Sequence, residues 1–184
     1  MIDELIAYFK NPVLEKDENK KFSYRFGKFV RLLLISIATT FILTIITSIF
    51  EASGLLKQGE HSLENVFKNA TTLKLFLLAV IFAPITEELI FRAPLTLFKK
   101  PNIFRIAFYS IALLFGYIHL WNYEISLNII LFSPVLIAPQ IIIGLYLGFI
   151  RIRFGLAWSI ALHASYNGVL LLLYLLATNA ITQS

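Results

Sequence analysis

The chain has 184 residues, 58% hydrophobic and only 15% charged, with a mean hydropathy of +0.78, against about 25% charged residues in an ordinary soluble domain. That composition excludes a soluble fold, and the net charge of +5 does not indicate a nucleic-acid binder, because the basic residues gather where loops meet apolar segments and form no stripe. The absence of cysteine removes disulfides, thiolate metal sites and a cysteine nucleophile, and says nothing of compartment.

The first element is "MIDELIAYFKNPVLEK", in which Ile2, Leu5, Ile6 and Phe9 recur at helical spacing until Pro12 breaks the pattern. This predicts a short amphipathic helix on the cytoplasmic membrane surface within an N-terminal segment 1–28, the alternative being a frayed polar leader. Residues 29–184 read as one transmembrane helical domain. A helical span needs about 20 apolar residues to cross ~30 Å of hydrocarbon, and five are expected, near 30–50, 73–98, 103–121, 127–150 and 156–176. The predicted fold is therefore all-α, a polytopic membrane helix bundle. The first span is too long, and too far from the N-terminus, for a cleavable signal, so it is expected to stay as an anchor.

Charge sets the predicted orientation. Lys20, Lys21, Arg25, Lys28 and Arg31 precede the first span, Lys99, Lys100 and Arg105 lie between the second and third, and Arg151 and Arg153 between the fourth and fifth. The other loops are balanced or nearly uncharged, so the N-terminus is expected in the cytoplasm and the C-terminus outside. His61, in the loop "KQGEHSLEN", reads as a solvated residue.

The second span carries "ITEELIFRAP", with Glu87, Glu88 and Arg92. An ionisable group at mid-bilayer costs ~2.5 to 3.5 kcal/mol on insertion scales. Either these groups serve a buried site, or the span stops near Ile85 and Glu88 and Arg92 form an ordinary i,i+4 pair on a cytoplasmic helix end. The third span ends "LLFGYIHLW", placing His119 one turn after Phe115. In the fourth, Pro134 and Pro139 predict a kink or local unwinding. Gln140 is expected to satisfy freed backbone groups, and Gly144 and Gly148 form a G-x-x-x-G pattern for close helix packing. The fifth span, "SIALHASYNGVLLLL", puts His163 and Asn167 on one helical face.

Taken singly, each histidine and the asparagine reads more simply as an internally bonded packing residue. Depth brings them together. Counted from the basic boundaries at 1.5 Å per residue, Glu87, His119 and His163 lie at roughly 18, 21 and 15 Å, close enough to meet near mid-membrane. A shielded carboxylate is a competent general base toward water. His119 could share that water or pass its proton to a leaving amine, and His163 and Asn167 could face a developing oxyanion. Arg92 would neutralise Glu88.

Together, "EELIFR", "FGYIH" and "HASYN" resemble the E-E-x-x-x-R, F-x-x-x-H and H-x-x-x-N motifs of the CAAX protease and bacteriocin-processing (CPBP, Abi) family of intramembrane proteases. The resemblance runs over a core of about 80–172, in the family's motif order. Fewer spans precede that core than in many relatives. What it implies is an endopeptidase acting on a membrane-embedded or lipid-adjacent peptide, in a bacterial cell membrane, with a role in bacteriocin maturation or self-immunity. By position, Glu87 corresponds to the water-activating residue and His119 to its partner. His163 with Asn167 corresponds to the oxyanion pair, and Glu88 and Arg92 complete the first motif. The family is described both as metal-dependent and as metal-free. Glu87, His119 and His163 could hold zinc with water in the fourth place, although the close H-E-x-x-H pair is missing, so no cofactor is assigned. Membrane lipid and a peptide or protein substrate are the expected partners. The competing readings are a non-catalytic peptide-binding or immunity protein and an ion-coupled transport subunit; the lack of an inverted repeat disfavours the second.

Overall fold

The computed structural model describes residues 1–57 and 70–182, with side chains as far as Thr178. His61 lies outside the described residues. The elements are α1 (Ile2–Lys10), α2 (Phe22–Ala52), α3 (Thr72–Phe76), a π-helical turn (Leu77–Phe82), α4 (Ala83–Phe91), a 3-10 turn (Ala93–Leu97), α5 (Pro101–Ile118), a second 3-10 turn (His119–Asn122), α6 (Leu127–Leu136), α7 (Ala138–Phe154) and α8 (Leu156–Thr182). The fold is the expected polytopic helical bundle. Among the described residues four helical runs are long and apolar enough to cross a membrane, Phe22–Ala52, Pro101–Asn122, Leu127–Phe154 and Leu156–Thr178. The fifth expected span, 73–98, is not one uniform helix. It is α3, the π turn and α4 in succession, closed by the 3-10 turn that begins where Pro94 restrains Ala93.

Helix α7 is the hub, and small residues let α5 come close to it. A Cβ on Gly148 would stand 2.7 Å from Phe108 Cε2, and one on Gly116 would stand 2.4 Å from Ile141 Cγ1. The G-x-x-x-G pattern thus does the packing expected of it. Between these contacts Phe104, Phe108, Phe115, Leu147 and Ile150 form a core from which solvent and lipid are excluded. Helix α2 joins through hydroxyls: Thr39 Oγ1 is 3.2 Å from Tyr146 Oη, and Thr40 Oγ1 is 2.8 Å from Tyr166 Oη.

The two prolines divide the fourth span at Ile137 into α6 and α7. Pro134 has no N–H to give to the Ile130 carbonyl four residues back, and the Ser133 hydroxyl donates to that carbonyl instead, at 2.8 Å. Among the described residues no hydrogen bond from Gln140 to the backbone freed by Pro139 is seen, and its Oε1 is buried without a hydrogen-bond partner.

Helix α1 forms where expected, but its apolar face divides. Leu5 and Tyr8 are buried in the main core while Ile2 and Ile6 stay exposed. Tyr8 packs edge-on against Phe108 and Phe149, with ring centroids 5.6 and 5.0 Å away, and its hydroxyl donates to the Val13 carbonyl. Glu4 pairs with Lys28, Arg105 Nη2 donates to Asn11 Oδ1 at 2.6 Å, and Arg153 pairs with Asp17 at 3.5 Å. The N-terminal segment is therefore strapped across one end of the bundle.

Candidate active site

The site begins with a defect in a helix. The Ala83 N–H bonds the Leu78 carbonyl, five residues back, which is the π register. Continued by one residue, that register would require the N–H of residue 84 to bond Ala79, but residue 84 is proline and has none. Asn167 supplies the missing donor, its Nδ2 standing 2.8 Å from the Ala79 carbonyl. One extra residue in a turn rotates the remainder of the helix by about 100°, and such bulges concentrate at functional sites. Glu87 and Glu88 lie on α4 directly beyond this bulge.

Glu88 and Arg92 are both 0% exposed, which disposes of a solvated helix end. Arg92 Nη1 lies 3.4 Å from Glu88 Oε1, and the guanidinium sits 3.9 Å over the Phe115 ring, a cation–π contact. Gly144 leaves room for it, since a Cβ there would stand 3.2 Å from Arg92 Nη2. On its other side Glu88 accepts from the Ser159 hydroxyl and from His163 Nδ1–H at 3.1 Å. The Arg92 carbonyl in turn accepts from Arg151 Nε at 3.1 Å, a cation at a helix C-terminus. A buried ion pair is tolerable only when its remaining groups are engaged; the carboxylate has three partners from two helices, whereas Arg92 Nη1 and Nη2 are buried without a hydrogen bond and rest on the ion pair and the Phe115 face.

Donation from Nδ1 leaves His163 Nε2 facing Glu87, whose Oε2 is 3.8 Å away. That oxygen is buried and has no hydrogen bond, although the Glu87 side chain as a whole is 29% exposed, so the carboxylate is reachable from outside while one oxygen points inward. His119 lies in the 3-10 turn that ends α5. Its Nδ1–H donates to the Phe115 carbonyl at 2.7 Å, leaving Nε2 free, and it is near enough to Glu87, His163 and Arg92 to feel their charges. The Phe115 ring separates the two imidazoles, with centroids 4.8 Å from His119 and 5.8 Å from His163.

The structure thus brings Glu87, Glu88, Arg92, His119 and His163 into one cluster around Phe115. Asn167 stands one turn further along α8 and is engaged with the bulge. Two participants escaped the sequence reading. Ser159 completes an i, i+4, i+8 row with His163 and Asn167 on α8, and Phe115, noted only as a motif position, is the ring on which the cluster is built. A three-ligand zinc site does not fit this arrangement: although His119 Nε2, His163 Nε2 and the Glu87 carboxylate are not taken up by protein hydrogen bonds, among the described residues no group of three His, Cys, Asp or Glu stands where it could hold a metal ion.

Fold and site define an integral membrane protein, a helical bundle with a buried Glu–Arg–His–Ser network beneath a reachable Glu–His pair. The chain belongs to the type II CAAX prenyl endopeptidase Rce1-like family, which its residues 69–169 match. No curated protein and no solved structure matches it significantly. The matched stretch contains all six candidate residues, and family membership makes the chain an intramembrane protein of the CAAX-protease type.

Proposed function

We propose that this protein is an intramembrane endopeptidase that cleaves a lipid-adjacent or prenylated peptide with a water activated by Glu87, with the N-terminus in the cytoplasm. The observation that carries this reading is the buried, unbonded Glu87 Oε2 beside His163 Nε2. In the reaction Glu87 takes a proton from water, and the hydroxide adds to the scissile carbonyl. The proton then passes to the leaving amine as the C–N bond breaks, with His119 Nε2 as the relay. His163, held by Glu88 through Nδ1, turns Nε2 toward Glu87 and the place where the oxyanion would form. Asn167 retains a second amide proton for that oxyanion. The Glu88–Arg92 pair and Ser159 position His163 and touch no reacting atom.

The test is cleavage of a peptide ending in a prenylated cysteine and three further residues, by the full chain in proteoliposomes, with bacteriocin precursors as a second substrate class. Glu87→Gln keeps size and loses basicity, so turnover should fall by about 10² to 10⁴ with unchanged thermal unfolding. Full turnover in that variant overturns the mechanism. Binding without cleavage by the wild type would favour a non-catalytic peptide-binding protein. A parallel assay with a chelator should leave activity intact; loss restored by zinc would overturn the metal-free route.

A further inference from the structure

At the end of the bundle strapped by the N-terminal segment lies a cavity of about 590 Å³, lined by five basic side chains and two acidic ones together with Phe154 and Gly155. Its three arginines are pinned. Arg25 donates from Nε to the Asn19 carbonyl at 2.8 Å and from Nη2 to the Asp17 carbonyl at 3.3 Å. Arg151 donates to the carbonyls of Arg92 and Ala93 at 3.1 and 3.4 Å, and Arg153 to that of Glu15 at 3.2 Å. Carbonyls fix a guanidinium in place without cancelling its charge. Of the two acidic side chains in the lining, Asp17 is already shared among Arg153, the Tyr24 hydroxyl and the Asn19 N–H, and with Glu18 counted as well the five basic groups still outnumber the carboxylates. The cavity is thus a preorganised concentration of positive charge at the point where α7 ends, α8 begins and α2 enters the apolar layer.

An apolar shelf continues from it. Phe154 packs against Trp158, with centroids 5.8 Å apart, and Trp158 against Phe22 at 5.9 Å. Phe22 is 70% and Phe26 48% exposed, as in the aromatic belt of a membrane interface.

We propose that this cavity binds the phosphate of an anionic phospholipid, with the acyl chains lying along Phe22 and Phe26. Guanidinium groups match phosphate geometry, and basic pockets between spanning helices take anionic headgroups. The exposed shelf beside the charge is what selects a lipid over free phosphate. The site is separate from the peptidase reading and does not depend on it.

The experiment uses delipidated full-length protein in uncharged detergent, titrated with phosphatidylglycerol, phosphatidylcholine or inorganic phosphate and read by native mass spectrometry. Lys16 and Lys20, exposed and without a partner among the described residues, are the variants that leave folding untouched. Saturable phosphatidylglycerol binding is expected, roughly 10- to 30-fold weaker in the Lys16→Gln/Lys20→Gln double variant and lost in ~1 M salt, where screening acts within about 3 Å. Equal binding of phosphatidylcholine, an unchanged affinity in the double variant, salt-insensitive binding, or inorganic phosphate binding as tightly as the lipid would each overturn the proposal.

Discussion

Arg92 and Glu88 are a charge pair enclosed on every side, and their energetics differ from those of Glu87 one position away. Glu88→Ala would strand Arg92 in an apolar site with the Phe115 face and the more distant Glu87 carboxylate as its remaining company. Loss of one partner of a buried pair costs about 3 to 5 kcal/mol, so this variant should unfold at markedly lower denaturant in mixed micelles, while Glu87→Gln, at a side chain that is only partly buried, should unfold with the wild type. Ser159→Ala tests positioning at the same scale. It removes one donor from a buried carboxylate, a loss of about 1 to 3 kcal/mol, and should lower kcat with little change in KM, because the residue holds Glu88 and does not meet substrate. The Glu88–Arg92 spacing was legible in the sequence as an i,i+4 pair. Their burial was not, since the same spacing serves equally on a solvated helix end. Ser159 was present in the i, i+4, i+8 row, but a serine in an apolar helix ordinarily bonds its own backbone, and only the approach of α4 gives it a carboxylate.

At the scale of elements, the bulge between α3 and α4 decides where Glu87 points. Its stability rests on the Asn167 amide replacing the N–H that Pro84 lacks. Asn167→Ala should therefore cost activity even apart from any oxyanion role. Adding Pro84→Ala, which restores a backbone N–H, should recover part of the stability lost; a double-mutant cycle read by thermal unfolding would show a coupling of about 0.5 to 3 kcal/mol. Strict additivity would detach Asn167 from the bulge. The α5–α7 contact makes a simpler prediction. Gly148→Ala forces Phe108 to move from 2.7 Å, and overpacking of this kind costs about 1 to 3 kcal/mol, measurable as a lower melting temperature. Prolines marked the irregular fourth span in advance, but the bulge ahead of Pro84 was not expected. Pro134 is answered locally by Ser133, whereas Pro84 is answered from α8.

For the molecule as a whole, the N-terminal segment is part of the bundle's closure. Burial pushes the Tyr8 phenol above its ordinary value of 10.0, opposed by the nearby Arg153 and assisted by Tyr109. Because the folded state favours the neutral phenol, Tyr8's contribution is intact below about pH 10 and declines as pH rises beyond it. A fluorophore on α1 should report undocking in that alkaline range, and Tyr8→Phe, with nothing to ionise, should shift the transition upward. Helical spacing of Ile2, Leu5, Ile6 and Phe9 correctly indicated α1. It could not indicate that Tyr8, which is not among those four, would fill a ring cluster formed by α5 and α7.

The sequence by itself determined that the chain is a polytopic helical membrane protein, because run lengths of apolar residues and the scarcity of charge are local properties that leave hydrocarbon as the only suitable solvent. It also determined the candidate residues, because ionisable groups inside such runs are costly enough to stand out one by one. Tertiary structure decided which of those groups share atoms: that His163 turns one nitrogen to Glu88 and the other to Glu87, that Arg92 lies on Phe115, and that Asn167 crosses to a carbonyl orphaned on another helix. Those are relations between helices. Their distances depend on a π turn and on glycine contacts whose effect appears only when the neighbouring backbone is in place.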